Sequence, residues 1–287
     1  MRKKEAGFTL IEVVLVIVIT GLLASVAGRM MSVAFSTYFE VGNQSSLLDN
    51  ADIVRRRLGL DLRQALPNSV RIGCQNRCLE LMHIKDSGRY RAATNSTEDI
   101  LAFGVLDSRF ELMGLLQQTV GAHSIRTGNG VNDCRDNQAD CLVVLNTGVG
   151  AQDVYQGGNR ATITDLLPTN DPTHLQFVPR VLPAPSPAQH FYVVDTPITY
   201  ICDVNAATLR RYDGYRIQRN QSDVDSHNEL LTQGASDSLL SNQIQACEFR
   251  FQPGDTVTGG IVMLEIRLGN AAQTYPLFAQ IALDAVP

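Results

Sequence analysis

Tryptophan is absent from the chain, which leaves ten Phe and eight Tyr to supply the aromatic packing. Proline is absent between Phe8 and Pro67. An interior proline removes a helix hydrogen bond and clashes with the preceding turn, so its absence permits one uninterrupted helix across that stretch. Common catalytic signatures are missing too: no GxSxG, P-loop or GxGxxG sits in a suitable strand–helix context. Gly148-Val149-Gly150 falls in a loop-like segment instead. The five histidines, His83, His123, His174, His190 and His227, are scattered without HExxH-type spacing. They read as exposed or internally satisfied side chains rather than a metal or catalytic set. The chain is therefore expected to be no enzyme and to need no cofactor.

Basic charge is also in short supply. The net charge is −5, and Met1–Gly7 holds three basic residues against one acidic, which leaves −7 for the remainder. An acidic bulk argues against non-specific binding to DNA or to anionic membrane surfaces, so no nucleic-acid partner is expected. Beyond the N-terminal Arg2-Lys3-Lys4, Arg55-Arg56-Arg57 is the basic run that stands out. A docking patch is the sharp reading; a solvated helix face, offset by Asp49, Asp52 and Asp61, is the favoured one.

The six cysteines form an even set that fits an oxidising compartment. Spacing favours Cys74–Cys78, Cys134–Cys141 and Cys202–Cys247. The first two would brace the loops CQNRC and CRDNQADC. The third would join two strands whose inward faces carry Ile198, Tyr200 and Cys202, and Cys247, Phe249 and Phe251. Structural zinc is the rival reading, but no CxxC occurs and no histidine lies near the pairs. Asp133, Asp136 and Asp140 in the second loop form an oxygen-rich cluster, a weak calcium candidate without EF-hand spacing.

What the chain does have is a membrane-length apolar run with one acid near its start. Phe8 to Gly28 spans ~31 Å as a helix, enough for a bilayer core of about 30 Å. Arg2, Lys3 and Lys4 precede the run, which places the N-terminus in the cytoplasm and the bulk beyond the membrane. An ordinary secretory signal has a shorter apolar region followed by a small-x-small site. Here the small residue Gly7 comes first, so the apolar stretch is expected to be retained. Within it, Glu12 places a carboxylate in hydrocarbon at about 2.5–3.5 kcal/mol on the mild insertion scale. A plain anchor has no reason to carry that cost, so Glu12 is expected to meet a partner.

The remaining organisation follows from periodicity. Leu47, Ala51, Val54, Leu58, Leu62 and Ala65 recur at steps of four and three, an amphipathic stripe that Pro67 ends. The segments expected are 8–28 in the membrane, 29–66 as an amphipathic continuation and 67–287 as a β-rich head. Gly42-Asn43 is the expected place for a bend. The head reads as short antiparallel strands: a hairpin around Cys74–Cys78, then ILAFGV, CLVVLNT, HLQFVP, HFYVVD, ITYICDV, ATLRRY, YRIQ, ACEFRF, IVMLEIRL and YPLFAQIALDAV. Asp213-Gly214 signals a hairpin turn. FELMGLL reads as a short helix, with another within 228–243. Gly148–Asn159 reads as an exposed loop, and the prolines of 179–188 as a stiff connector between two halves of the head. The fold class is α+β.

KEAGFTLIEVVLVIV resembles the class III signal peptide of type IV pilins and type II secretion pseudopilins. ALPNSVRI, FYVVDTPITYICD, TLRRYDGY, NQIQACEFRFQPG and QIALDAVP extend the likeness to minor prepilins of MSHA-type pili, over about 1–84 and 188–287. The resemblance implies a pilin-like fold, with a long N-terminal helix packed on an antiparallel sheet. It implies that residues 1–7 are a leader, that prepilin peptidase cuts between Gly7 and Phe8, and that Phe8 is then N-methylated. The new amine of one subunit can then neutralise Glu12 of its neighbour inside an apolar bundle, which makes Glu12 an assembly contact. The implied partners are other minor pilins, the major pilin and an assembly platform in the inner membrane. The implied course is a single-pass inner-membrane protein with a periplasmic head that later enters a pilus, near its tip. Initiation of an MSHA-type pilus is the implied role. A minor pseudopilin of type II secretion and a tip adhesin or ligand-binding module are the alternatives.

Overall fold

The computed structural model describes residues 9–92, 99–117, 124–129, 133–166, 173–254, 259–270 and 273–283. The chain divides into two units, Met1–Asp49 and Asn50–Pro287. Helix α1 (Leu10–Arg63) fills the described part of the first and opens the second. Without proline it stays continuous through Gly42-Asn43, where a bend was expected. Thr20, Ser25 and Ser32 lie on its apolar part. Their hydroxyls bond back to Val16 O, Leu22 O and Arg29 O at 2.8, 2.8 and 2.9 Å, so they add few unmet polar groups.

In the second unit, Ala51, Val54, Leu58, Leu62 and Ala65 are all buried, while Ile53 and Leu60 are exposed. The amphipathic stripe is thus the inward face. Just past α1, Leu66 N–H donates to Met82 O and Ile84 N–H to Gln64 O, both at 2.7 Å, which ties the helix end to a strand. The arginine run is offset within the helix: Asp52 pairs with Arg55 and Arg56, and Asp61 with Arg57.

Among the described residues the head holds twelve strands, paired antiparallel throughout. Nine form one sheet: β1 (Arg71–Gly73), β2 (Cys78–Arg89), β3 (Leu106–Glu111), β4 (Cys141–Val144), β5 (Arg160–Leu166), β6 (His174–Val181), β7 (His190–Asp203), β8 (Thr208–Asp213) and β9 (Ser236–Ser241). The spatial order is β1-β2-β7-β4-β5-β6-β3, with β8 on β7 and β9 on β8. A second sheet is built from β10 (Ile244–Gln252), β11 (Ile261–Gly269) and β12 (Thr274–Ala282). Helix α2 (His227–Thr232) is short and begins at Ser226, whose hydroxyl caps Glu229 N–H. The largest aromatic core gathers Tyr90, Phe110, Phe177 and Phe191, with Phe110 and Phe191 edge to face at 5.2 Å.

Several expectations are corrected. ILAFGV is not a strand: Gly104 sits at φ 72° and turns the chain, and the strand begins at Leu106. The expected helix FELMGLL begins as the end of β3. HFYVVD and ITYICDV are one strand, β7, which runs through Asp195-Thr196-Pro197. Its register against β2 shifts there, between Met82↔Pro197 and Ile84↔Val194, which accommodates the missing proline N–H. YRIQ is irregular, because Gly214 at φ 77° ends β8 without turning back into a strand. Gly148–Asn159 is not simply exposed: Tyr155 is buried and donates to Ser69 O at 2.9 Å. The proline-rich segment does not divide the head, since β6 and β7 on either side of it share the large sheet. β5 was missed entirely.

Candidate functional site

Leu10–Ser32 is long and apolar enough to cross a membrane, with mean hydropathy 2.7 and none of it buried. Leu10, Ile11, Val13, Val14, Leu15, Val16 and Ile17 all face outward. Glu12 sits in the first turn of α1, where its N–H donates to Thr9 O at 3.1 Å. A carboxylate near a helix N-terminus opposes the partial positive charge of the unpaired N–H groups. That favours Glu12 locally but gives it no counter-ion, and among the described residues it forms no ion pair. Gly7 and Phe8, the expected cleavage and methylation positions, lie outside the described residues.

In the head, the residues that secure the C-terminal part of α1 centre on Asp61. Its Oδ2 accepts from Tyr200 Oη at 2.6 Å and from Arg211 Nε at 2.5 Å. Tyr200 and Arg211 face each other across β7 and β8. Burial, and then the Asp61 charge, raise the Tyr200 phenol far above its ordinary value, so it stays a donor. Burial alone would lower Arg211, but Asp61 and Asp213 outweigh it and hold the guanidinium above its ordinary value. Nearby, His83 Nδ1 lies 2.8 Å from Asp195 Oδ1. Burial works against the Asp195 charge, yet His83 and the Thr196 N–H more than offset it and keep the carboxyl below its ordinary value. Sequence reasoning used Asp61 only to offset the arginine run. Its place three residues after Leu58 and four before Ala65, on the inward face, was the available signal.

Cys74–Cys78 and Cys134–Cys141 are disulfide-bonded. Cys202 and Cys247 are not: they are two thiols, and their contact, followed by burial, pushes Cys247 well up. The expected third cross-link is therefore corrected to a pair of neighbouring thiols on β7 and β10, strands of different sheets. The calcium candidates do not converge. Asp133 accepts from Arg135 N–H, Asp136 pairs with Arg216, and Asp140 is buried between Lys85 and Arg126. Among the described residues no group of three or more potential ligands forms. His83, His174, His190 and His227 lie apart, His227 against Tyr212; His123 is outside the described residues.

Residues 2–28 match the family model described as the prokaryotic N-terminal methylation motif. Comparison with curated proteins gives no match, and neither does comparison with solved structures. The chain thus carries a type IV prepilin-like signal on an exposed apolar helix, followed by an antiparallel β-sheet head, an α+β layout consistent with the pilin-like fold. The motif supports a pilin or pseudopilin subunit that is membrane-anchored, processed by prepilin peptidase and assembled with other pilins.

Proposed function

We propose that the chain is a minor pilin-like subunit that takes part in initiating a type IV pilus of the MSHA kind, where it resembles the MSHA pilus biogenesis protein MshO. It acts by assembly, not by catalysis. The observation that carries the reading is Glu12: an acid without a partner among the described residues, five positions into the chain that cleavage after Gly7 would leave, on an outward apolar helix. Prepilin peptidase frees the Phe8 amine, which is then methylated. The helix waits in the inner membrane with the head in the periplasm. On extraction into a filament, Glu12 sets register against the amine of an adjacent subunit, and the head stands near the tip.

Mass spectrometry of the mature protein tests the processing step, with a chain starting at methylated Phe8 expected and an intact Met1 contradicting it. Glu12→Ala tests the assembly step: insertion and cleavage persist while pilus number falls. Normal piliation by that variant would sink the role given to Glu12. An adhesin or ligand-binding role for the head is the second reading, and a cavity lined by Arg135, Arg160, Arg180 and Arg219, built mostly from 85–187, favours it.

A further inference from the structure

Four arginines from separate parts of the second unit line one cavity of about 350 Å3: Arg135, Arg160, Arg180 and Arg219. Arg135 belongs to the short 3-10 turn Cys134–Asp136, Arg160 opens β5, Arg180 lies near the end of β6, and Arg219 follows β8. Among the described residues none of the four forms an ion pair. Three donate to backbone carbonyls: Arg135 Nε to Ile217 O at 3.4 Å, Arg160 Nη1 to Val154 O at 2.8 Å, and Arg180 Nη2 to Gly157 O. The acid in the lining is Asp133, whose carboxylate already accepts from Arg135 N–H at 2.8 Å. Arg160 is pushed down to about 10, first by burial and then by the charges of the other three arginines, with Asp133 opposing.

The cleft of about 410 Å3 beside Asp61 makes the contrast. Its charges cancel: Asp61 and Asp213 meet Arg211, and Asp195 meets His83. The arginine cavity has no such balance. In an acidic chain, four guanidinium groups around one aspartate repel one another, and a bound anion relieves that repulsion. Guanidinium forks match the oxygens of phosphate and carboxylate. The excess positive charge favours a ligand with more than one negative charge, and a phosphate monoester carries about −1.5 to −2 at pH 7. Thr162 also lines the cavity; its oxygen accepts from Cys134 N–H at 3.1 Å, which leaves the hydroxyl hydrogen to donate. The volume corresponds to roughly twelve waters at ~30 Å3 each, more than a bare phosphate fills.

We propose that this cavity binds a phosphate monoester carried by a sugar-sized polar body. The source is either a free sugar phosphate or the phosphorylated saccharide headgroup of a lipid, which present the same charged group. The inference stands whether or not the chain enters a filament.

The full chain in detergent micelles is titrated with glucose 6-phosphate, glucose and glucuronate, and with lipid A in mixed micelles, by equilibrium binding and thermal unfolding. Glucose 6-phosphate is expected to bind and raise the unfolding temperature, and glucose is not. Binding by glucose 6-phosphate alone supports the proposal and assigns a soluble source; binding by lipid A alone supports it with a lipid source; binding by both supports the shared phosphate-monoester chemistry with either source. Arg180 and Arg219 are exposed, so Arg180→Gln/Arg219→Gln should leave the fold intact while weakening binding on the order of tenfold or more. The two single variants, run alongside, each weaken it and carry the same test if the double variant does not fold. No response to either phosphate-bearing probe overturns the proposal. So does glucuronate binding as tightly as glucose 6-phosphate, or binding by the arginine variants as tight as by the wild type.

Discussion

Asp61 takes a phenol and a guanidinium on the same carboxylate oxygen, so Tyr200→Phe removes one hydrogen bond to a charged, buried acceptor while Arg211 stays. Such a bond is worth about 1.5–3 kcal/mol. Urea denaturation of the detergent-solubilised chain should show an unfolding free energy lower by about 1.5–3 kcal/mol, seen as a lower midpoint with an unchanged slope. Glu80 and Arg71 make a sharper case. The carboxylate is fully buried, accepts from Arg71 Nε at 2.6 Å and from Tyr215 Oη at 3.0 Å, and Arg71 lies over the Tyr155 ring. Burial, the largest influence, pushes Glu80 up against the pull of Arg71. Glu80→Ala leaves Arg71 without its counter-ion but still bonded to Gln218 O and Arg219 O, so the loss should fall at or below the roughly 3–5 kcal/mol that removing one partner of a buried pair costs. The Asp195 carboxyl runs the other way, held below its ordinary 3.8. A depressed carboxyl contributes stability that is complete above the unfolded value and lost as pH falls through the folded one. Acid titration of the wild type should therefore show a loss of stability below about pH 4 that is smaller in Asp195→Asn.

The C-terminal part of α1 separates its inward and outward faces within two residues. Leu58 is buried and Leu60 exposed, so Leu58→Ala should cost about 2–5 kcal/mol through the cavity it leaves. Leu60→Ala should stay within about 0.5 kcal/mol, and thermal denaturation of the pair distinguishes them. That stripe was legible because helical periodicity is local and needs only the sequence. The hairpin of β1 and β2, and β10 to β12, were legible for the same reason: runs of apolar and β-branched residues end at clear turns. β7 was misread at Pro197, because a proline argues for a break unless a register shift against the neighbouring strand accommodates it. β5 escaped notice because Arg160, Thr162, Thr164 and Asp165 interrupt its apolar pattern. Ala161, Thr162 and Ile163 are nonetheless buried together between two neighbouring strands, and no local pattern reports that.

At the scale of the whole molecule, the N-terminal signal was legible because basic leader, Gly7, Phe8 and Glu12 are contiguous. The arginine cavity was not, since its four cations are scattered between residues 135 and 219. Cys202 and Cys247 bridge the same kind of distance, and they are the described thiols that contact across the two sheets. With oxidised glutathione as electron acceptor, the two thiols form a disulfide while the glutathione S–S bond breaks, and two molecules of reduced glutathione leave with the two protons and two electrons. Closing a loop of that length stabilises by about 4 kcal/mol in the chain-entropy account. Thermal denaturation should show a higher unfolding temperature after that treatment, and no such gain in Cys247→Ser. The Asp61 arrangement also has a mechanical side. Tyr200 is paired with Leu79 of β2 on one side and Arg211 of β8 on the other. A pull on the helix at Asn50 reaches the sheet through Asp61 at a strand bonded along both flanks. Tension arriving there is shared between two ladders, where a rim strand would offer one.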